Sequence, residues 1–160
     1  MTIAVGDSIP NIEFTIMGAD GPAPISADDI FKGKKVVLFS VPGAFTPTCS
    51  AKHLPGFVQH AADLKAKGVD TIACMAVNDV FVMDAWGKDQ SVGDNVMMLA
   101  DGSGKFTEAI GLSLDLVGMG LGMRSQRFAL VAEDGKVTHL AVEEGPGLDV
   151  SSAEKVLAAL

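Results

Sequence analysis

The chain has 160 residues, 48% of them hydrophobic and 20% charged, which is one domain's worth of sequence with enough apolar material for one core and argues against disorder, a collagen-like repeat or a disulfide-dense scaffold. Twelve Lys and Arg against 20 Asp and Glu leave a formal charge of -8, so the surface repels nucleic-acid phosphates and anionic membranes. No apolar run reaches the roughly 18–20 residues of a spanning helix, and the N-terminal stretch MTIAVGDSIPNIEF has neither the basic leader nor the apolar segment of a secretion signal.

In chain order, residues 35–41 form the first apolar, β-rich run, and residues 71–77 and 96–100 form two more; these predict buried parallel strands. Between the first two, Leu54, Phe57, Val58, Ala61 and Leu64 fall at helical spacing, with Gly68 to end the helix, so the segment reads as a βαβ unit. Pro55 lies inside that helical run, where it removes a backbone donor and crowds the carbonyl four residues back, and a bend is expected there. Asn78 or Asp79 is placed to cap a second helix through Trp86, and a third fits residues 105–110. The glycine-rich segment 118–122, with Met119, Leu121 and Met123 around it, reads as a connecting loop or a partner-facing one. Residues 128–132 and 136–142 flank Asp134-Gly135, a hairpin dipeptide, and Ser151 with Glu154 has capping-box spacing ahead of a terminal helix over 152–160. The sum is an α/β domain spanning residues 1–160: a mixed, mostly parallel sheet with an antiparallel edge and helices on both faces.

The chemistry concentrates in Val41-Pro42-Gly43-Ala44-Phe45-Thr46-Pro47-Thr48-Cys49-Ser50, between the C-terminal end of the first buried strand and the long helix, the edge at which open α/β sheets bind ligands. With Thr46 as N-cap, Pro47 occupies the first helical position and Cys49 falls in the first turn. Unpaired N–H groups and the helix dipole there favour the thiolate over a thiol whose ordinary pKa is about 8.5, which marks Cys49 as a nucleophile, held at the mouth of a pocket. Ionisation alone yields only about thirtyfold in reactivity, so an effective site must add donors beside the sulfur, and the Thr46 hydroxyl is placed to be one. Cys74, in mid-strand, reads as a buried packing residue rather than a partner for Cys49, since a disulfide needs Cα atoms within about 7 Å. Two cysteines are too few for a disulfide framework or a cysteine-only zinc site, and this usage suits a reducing compartment, so a cytoplasmic protein is expected. His53, one turn beyond Cys49, reads as structural or solvent-facing before catalytic; His60 and His139 are isolated and suggest no metal site.

Pro42, Thr46 and Cys49 match Pro-x-x-x-Thr-x-x-Cys, and the runs PGAFTPTCSAKHLPGF, AVNDVFVMDAW, LADGSGKF and RSQRFAL extend the match over nearly the whole chain, which resembles the peroxiredoxins of the peroxiredoxin 5, or type II, group. The resemblance implies a thioredoxin-like fold and a thiol peroxidase acting on hydrogen peroxide and alkyl hydroperoxides, with no metal or organic cofactor. It implies that Cys49 attacks the peroxide and becomes a sulfenic acid, that Pro42 shields the site, that Thr46 hydrogen-bonds the peroxide, and that Arg127 stabilises the thiolate and the polarised O–O bond. Arg124 is a weaker candidate in the same motif. Phe45 and Trp86 read as core or subunit-contact aromatics, and the resemblance implies a homodimer.

Some members of the group carry a resolving cysteine in the segment equivalent to residues 145–152; this chain has none. That departure implies a one-cysteine cycle in which glutathione, as reducing cosubstrate, and glutaredoxin recycle the sulfenic acid, with thioredoxin as the alternative reductant. A peroxide sensor or redox relay shares the first half-reaction and differs in turning over only once; a non-catalytic binding module would be indifferent to Cys49→Ser.

Overall fold

The computed structural model describes residues Thr2–Leu160. It opens with a hairpin absent from the sequence expectations, β1 (Glu13–Gly18) and β2 (Gly21–Ser26), paired antiparallel along their length. Pro22 and Pro24 obscure β2 as a strand, and both are tolerated because β2 is the sheet's outermost strand, where a missing donor faces solvent. A short helix, α1 (Ala27–Phe31), follows, with Ser26 Oγ accepting from the Asp29 amide at its start.

The predicted alternation then appears: β3 (Lys35–Ser40), two short helices α2 (Leu54–Gln59) and α3 (Ala61–Ala66), β4 (Thr71–Ala76), α4 (Val80–Asp89), β5 (Met97–Ala100) and α5 (Lys105–Ala109). A small two-stranded ribbon, β6 (Ser113–Leu116) with β7 (Gly122–Ser125), stands apart from the main sheet and carries the glycine-rich segment at its tip. The chain ends with β8 (Phe128–Glu133), β9 (Lys136–Val142) and α6 (Ala153–Ala159). Asp134 and Gly135 both have positive φ, 50° and 78°, as the tight turn between β8 and β9 requires.

The seven-stranded sheet runs β2-β1-β5-β4-β3-β8-β9. Its centre, β5-β4-β3, is parallel; β8 and β9 form the expected antiparallel edge, and β1 and β2 add a second one on the other side. Strand alternation divides the core into two layers. Val37 and Phe39 of β3, with Ile72, Cys74 and Ala76 of β4, pack under α2, α3, α4 and α6. Val36, Leu38, Ala73 and Met75 face the opposite layer with Ile30 and Phe31 of α1 and Phe106 of α5. Helices therefore cover both faces, and β3 and β4 are buried from their second residue onward.

Two helical expectations change. The predicted helix through Leu64 is broken at His60, whose backbone (φ -96°, ψ 9°) separates α2 from α3 while Leu54, Phe57, Ala61 and Leu64 keep one buried face. The terminal helix is capped by Ser152, which accepts from the Lys155 amide, and not by Ser151, whose side chain is used elsewhere. Among the described residues no helix is long and apolar enough to cross a membrane, and no group of three or more His, Cys, Asp or Glu is placed to hold a metal ion.

Candidate active site

The parallel strands β3 and β4 deliver their C-terminal ends side by side, and the chain leaving β3 passes through Val41–Thr46 before turning into helix. Two side chains hold this loop. Asn78, just past β4, accepts from the Ala44 amide at 2.9 Å, and Arg124 of β7 donates from Nη1 to the Pro42 carbonyl at 3.3 Å. A Cβ at Gly43 would sit 2.9 Å from Arg124 Nη1 and 3.2 Å from Thr46 Cγ2, so a side chain there would displace the arginine head group from the Pro42 carbonyl. Arg124 is thus a brace for the loop, with Nε donating to the Leu121 carbonyl at 2.7 Å.

Helical geometry begins at Pro47 and widens at once into a π-helical turn over Cys49–His53, closed by the Leu54 amide donating to the Cys49 carbonyl. The bend expected at Pro55 takes this form. Proline crowds the carbonyl four residues earlier, here that of Ala51, and a wider turn just before it relieves the clash. The wider turn also brings Cys49 and His53 to the same inward side, and both are fully buried.

Three of the four predicted site residues meet at one sulfur. Thr46 Oγ1 lies 2.8 Å from Cys49 Sγ and 2.7 Å from the Gly43 carbonyl, and Arg127 Nη2 donates to the same sulfur at 3.1 Å. Thr46 has a single hydroxyl hydrogen, so it serves either Gly43 or the sulfur at a given moment. Beside a thiol, the S–H donates to Thr46 and Thr46 donates to Gly43; beside a thiolate, the hydroxyl turns to the sulfur and Arg127 supplies the second donor. The Thr46 side chain is therefore occupied by these two contacts, not by the helix cap assigned to it from spacing. Pro42 contributes its position at the head of the loop, half-buried, four residues before Thr46.

The expectation of a sulfur at the mouth of a pocket needs correction: Cys49 is 0% exposed. Thr46, in contact with it, is half-buried, so the sulfur lies one side chain beneath the surface. Arg127 is 5% exposed, and among the described residues no carboxylate lies within ion-pairing distance of it. Its head group has two contacts, Cys49 and His53 Nδ1 at 2.9 Å, while Nε has no partner. A buried cation lacking a carboxylate is suited to an anion formed on the neighbouring sulfur.

His53, read from the sequence as structural or solvent-facing, is fully buried and touches Arg127. Its Nε2 lies 2.9 Å from the Ser151 carbonyl, and burial, then the Arg127 charge, lower its pKa to about 3, so the ring is neutral at working pH. Ser151 is pinned by Glu143, whose Oε2 accepts from the Ser151 amide (2.8 Å) and hydroxyl (2.6 Å) and from the Asp149 amide (2.9 Å). Trp86 is a core residue, 0% exposed, whose Nε1 donates to Ser50 Oγ at 3.0 Å. Phe45 lies above it with ring centroids 6.5 Å apart and is 52% exposed, with a backbone φ of 64°. Cys74 pairs with Phe39 in the β3–β4 register, is fully buried, and burial, followed by the nearby Cys49, pushes its thiol up. Glu143 escaped the sequence reading, and Asn78 and Ser151 were read there only as helix caps; of the three, only Asn78 had a local signal, a polar side chain just past a buried strand.

A cysteine in the first turns of the helix after a central parallel strand, with threonine and arginine donors on its sulfur, belongs to the thioredoxin-like thiol proteins. The chain matches the Redoxin family model over residues 4–157 and belongs to that family, in its type II peroxiredoxin group, a group of thiol-dependent peroxidases. It is 52% identical over 159 residues to Peroxiredoxin-2B of Arabidopsis thaliana, covering 99% of this chain and 98% of the relative. It is similar to the crystal structure of reduced Prx3 of Vibrio vulnificus in complex with hydrogen peroxide, with a TM-score of 0.95, 50% identity and 99% of each chain covered. Peroxiredoxin 5 of Alvinella pompejana gives a TM-score of 0.86 at 38% identity, over 98% of this chain and 97% of that one.

Proposed function

We propose that the protein reduces hydrogen peroxide and small alkyl hydroperoxides at Cys49 by a one-cysteine cycle that glutathione and glutaredoxin complete. The observation that carries the reading is the convergence of Thr46 Oγ1 and Arg127 Nη2 on Cys49 Sγ, at 2.8 and 3.1 Å. A thiolate there attacks one peroxide oxygen; the S–O bond forms as the O–O bond breaks, sulfur loses two electrons to the peroxide, and the departing oxide takes a proton and leaves as water or alcohol. The two donors favour the charge as it moves from the buried sulfur to oxygen. Because Cys49 is covered, peroxide enters as the Pro42–Thr46 loop yields, and Pro42 afterwards shields the sulfenic acid.

Cys74 is buried in mid-strand, which supports an outside thiol as the resolving group. Glutathione attacks the sulfenic sulfur, releasing water and leaving a mixed disulfide, which glutaredoxin then removes by thiol exchange. The cycle needs no metal or organic cofactor, and its thiol chemistry suits a reducing cytoplasm. A second copy of the chain is the partner proposed for the exposed apolar side chains Phe45, Phe81, Met119 and Met123, 52%, 65%, 73% and 53% exposed.

Peroxide consumption by the native protein, Cys49→Ser and Cys74→Ala, with the glutathione–glutaredoxin and thioredoxin systems in turn, tests the reading. Only Cys49→Ser should be inactive, and glutathione with glutaredoxin should sustain turnover. Normal turnover with thioredoxin and none with glutathione would refute the donor assignment. Fast stoichiometric oxidation with no turnover under either system would make the protein a sensor or relay.

A further inference from the structure

The geometry points to His53 as a positioning residue for the peroxide reaction, a neutral imidazole that fixes which nitrogen of Arg127 faces Cys49. The inference rests on the peroxidase reading and adds to it a residue that does not touch the reacting atoms.

The Arg127 head group is held by two contacts, His53 Nδ1 at 2.9 Å from Nη1 and Cys49 Sγ at 3.1 Å from Nη2. A guanidinium is flat and rigid, so anchoring one terminal nitrogen sets the direction of the other. Arginine only donates; His53 Nδ1 must therefore accept, and the ring hydrogen sits on Nε2, which donates to the Ser151 carbonyl at 2.9 Å. A protonated ring would bring two donors face to face and lose the anchor. Phe39 and Phe57 flank the ring, with centroids 4.9 and 5.6 Å away, and restrict its rotation.

The contacts close into a circuit. The Glu143 amide donates to the Arg127 carbonyl at 2.9 Å, and the Glu143 carboxylate holds Ser151. Ser151 holds His53, and His53 holds the Arg127 side chain. Backbone and head group of one arginine are thus tied together through three residues, Glu143, Ser151 and His53. Because His53 is neutral, the guanidinium is oriented without losing its charge to a carboxylate, and that charge stays available to the sulfur and the breaking O–O bond.

Two variants separate the arms of the imidazole. In His53→Asn, Oδ1 takes the place of Nδ1 and still accepts from Arg127; in His53→Gln, Nε2 takes the place of the ring Nε2 and the Arg127 anchor is lost. Stopped-flow rates of the reduced protein with hydrogen peroxide and, separately, with iodoacetamide give a readout that a merely structural role would not move. His53→Gln should lower the peroxide rate at least about tenfold and the peroxide-to-iodoacetamide ratio with it, whereas His53→Asn should stay within about threefold of the native rate, since a misaimed donor costs only the reaction it serves. An unchanged ratio in His53→Gln, or equal losses in both variants that follow their melting temperatures, would overturn the assignment. Should neither variant fold, the native protein decides: long-range 1H–15N spectra should show His53 Nδ1 unprotonated from pH 5 to 8, and a hydrogen on Nδ1 would overturn it. A native protein that does not react with peroxide would sink the peroxidase reading and this inference together, an outcome distinct from native reactivity with an indifferent His53.

Discussion

Replacing Thr46 by valine keeps the shape of the side chain and removes one oxygen. That oxygen lies 2.7 Å from the Gly43 carbonyl and 2.8 Å from Cys49 Sγ, which is fully buried. Loss of one donor to the charge of a transition state in such a site costs about 2.7–4 kcal/mol, or about 100- to 1,000-fold in rate. Gly43 is buried too, and its carbonyl, which would keep only the longer bond from the Thr46 amide at 3.4 Å, should cost about 0.5–1.5 kcal/mol of stability. Thr46→Ser keeps both contacts and should stay within about fivefold of the native rate while giving up a methyl group's packing. The assay is the second-order rate of oxidation of the reduced protein by hydrogen peroxide in a stopped-flow instrument, with urea denaturation of each variant alongside. A valine variant within about threefold of native would show that the hydroxyl holds the loop and does not act on the reacting atoms.

Arg127→Lys keeps a charge but gives one nitrogen where the native side chain uses two, so it should lose about 100-fold or more in the peroxide rate; a near-native rate would mean that charge alone, without the fork, suffices. Cys74 should resist alkylation in the folded protein and react once it is denatured, because burial pushes its thiol up; labelling of Cys74 at the pace of an exposed thiol would contradict the packing described. The fold should weaken in acid through His53. Its folded pKa, about 3, lies below the unfolded value of about 6.5, so the unfolded chain binds more protons between those values and stability falls as pH drops through the window, by about 3 kcal/mol at pH 4. Glu143, held below the usual carboxylate range by its bonds from Ser151 and Asp149, adds a loss in the same direction below about pH 4.5. Urea midpoints at pH 7 and pH 4 should differ less in His53→Asn than in the native protein, and equal differences would remove His53 from the account.

The features legible in the sequence are those set by local pattern. Apolar runs gave β3, β4 and β5, Asp134-Gly135 gave the last hairpin, and Asp79 caps α4 as expected, its Oδ1 accepting from the Val82 amide at 2.9 Å. Misses arose where a local rule was overridden by position. Pro22 and Pro24 hide a strand that is permitted only at an edge, and the glycines of 118–122 hide a ribbon whose strands are four residues each. Ser151 and Ser152 are equivalent to the eye, yet one caps α6 while the other is drawn to Glu143. Cys49 and Thr46 were legible from their place at the head of the helix after β3, whereas Arg127, 78 residues beyond Cys49, came only with the family resemblance. The role of His53 had no such signal, because its partners Arg127 and Ser151 lie 74 and 98 residues away.

The central claim is that peroxide meets one particular sulfur, and mass spectrometry of the reduced protein after a single equivalent of hydrogen peroxide in the presence of dimedone tests it most directly. The adduct should appear on the peptide that carries Cys49, with Cys74 unmodified and with no adduct in Cys49→Ser. An adduct on Cys74, or peroxide consumed at the native rate by Cys49→Ser, would contradict the account.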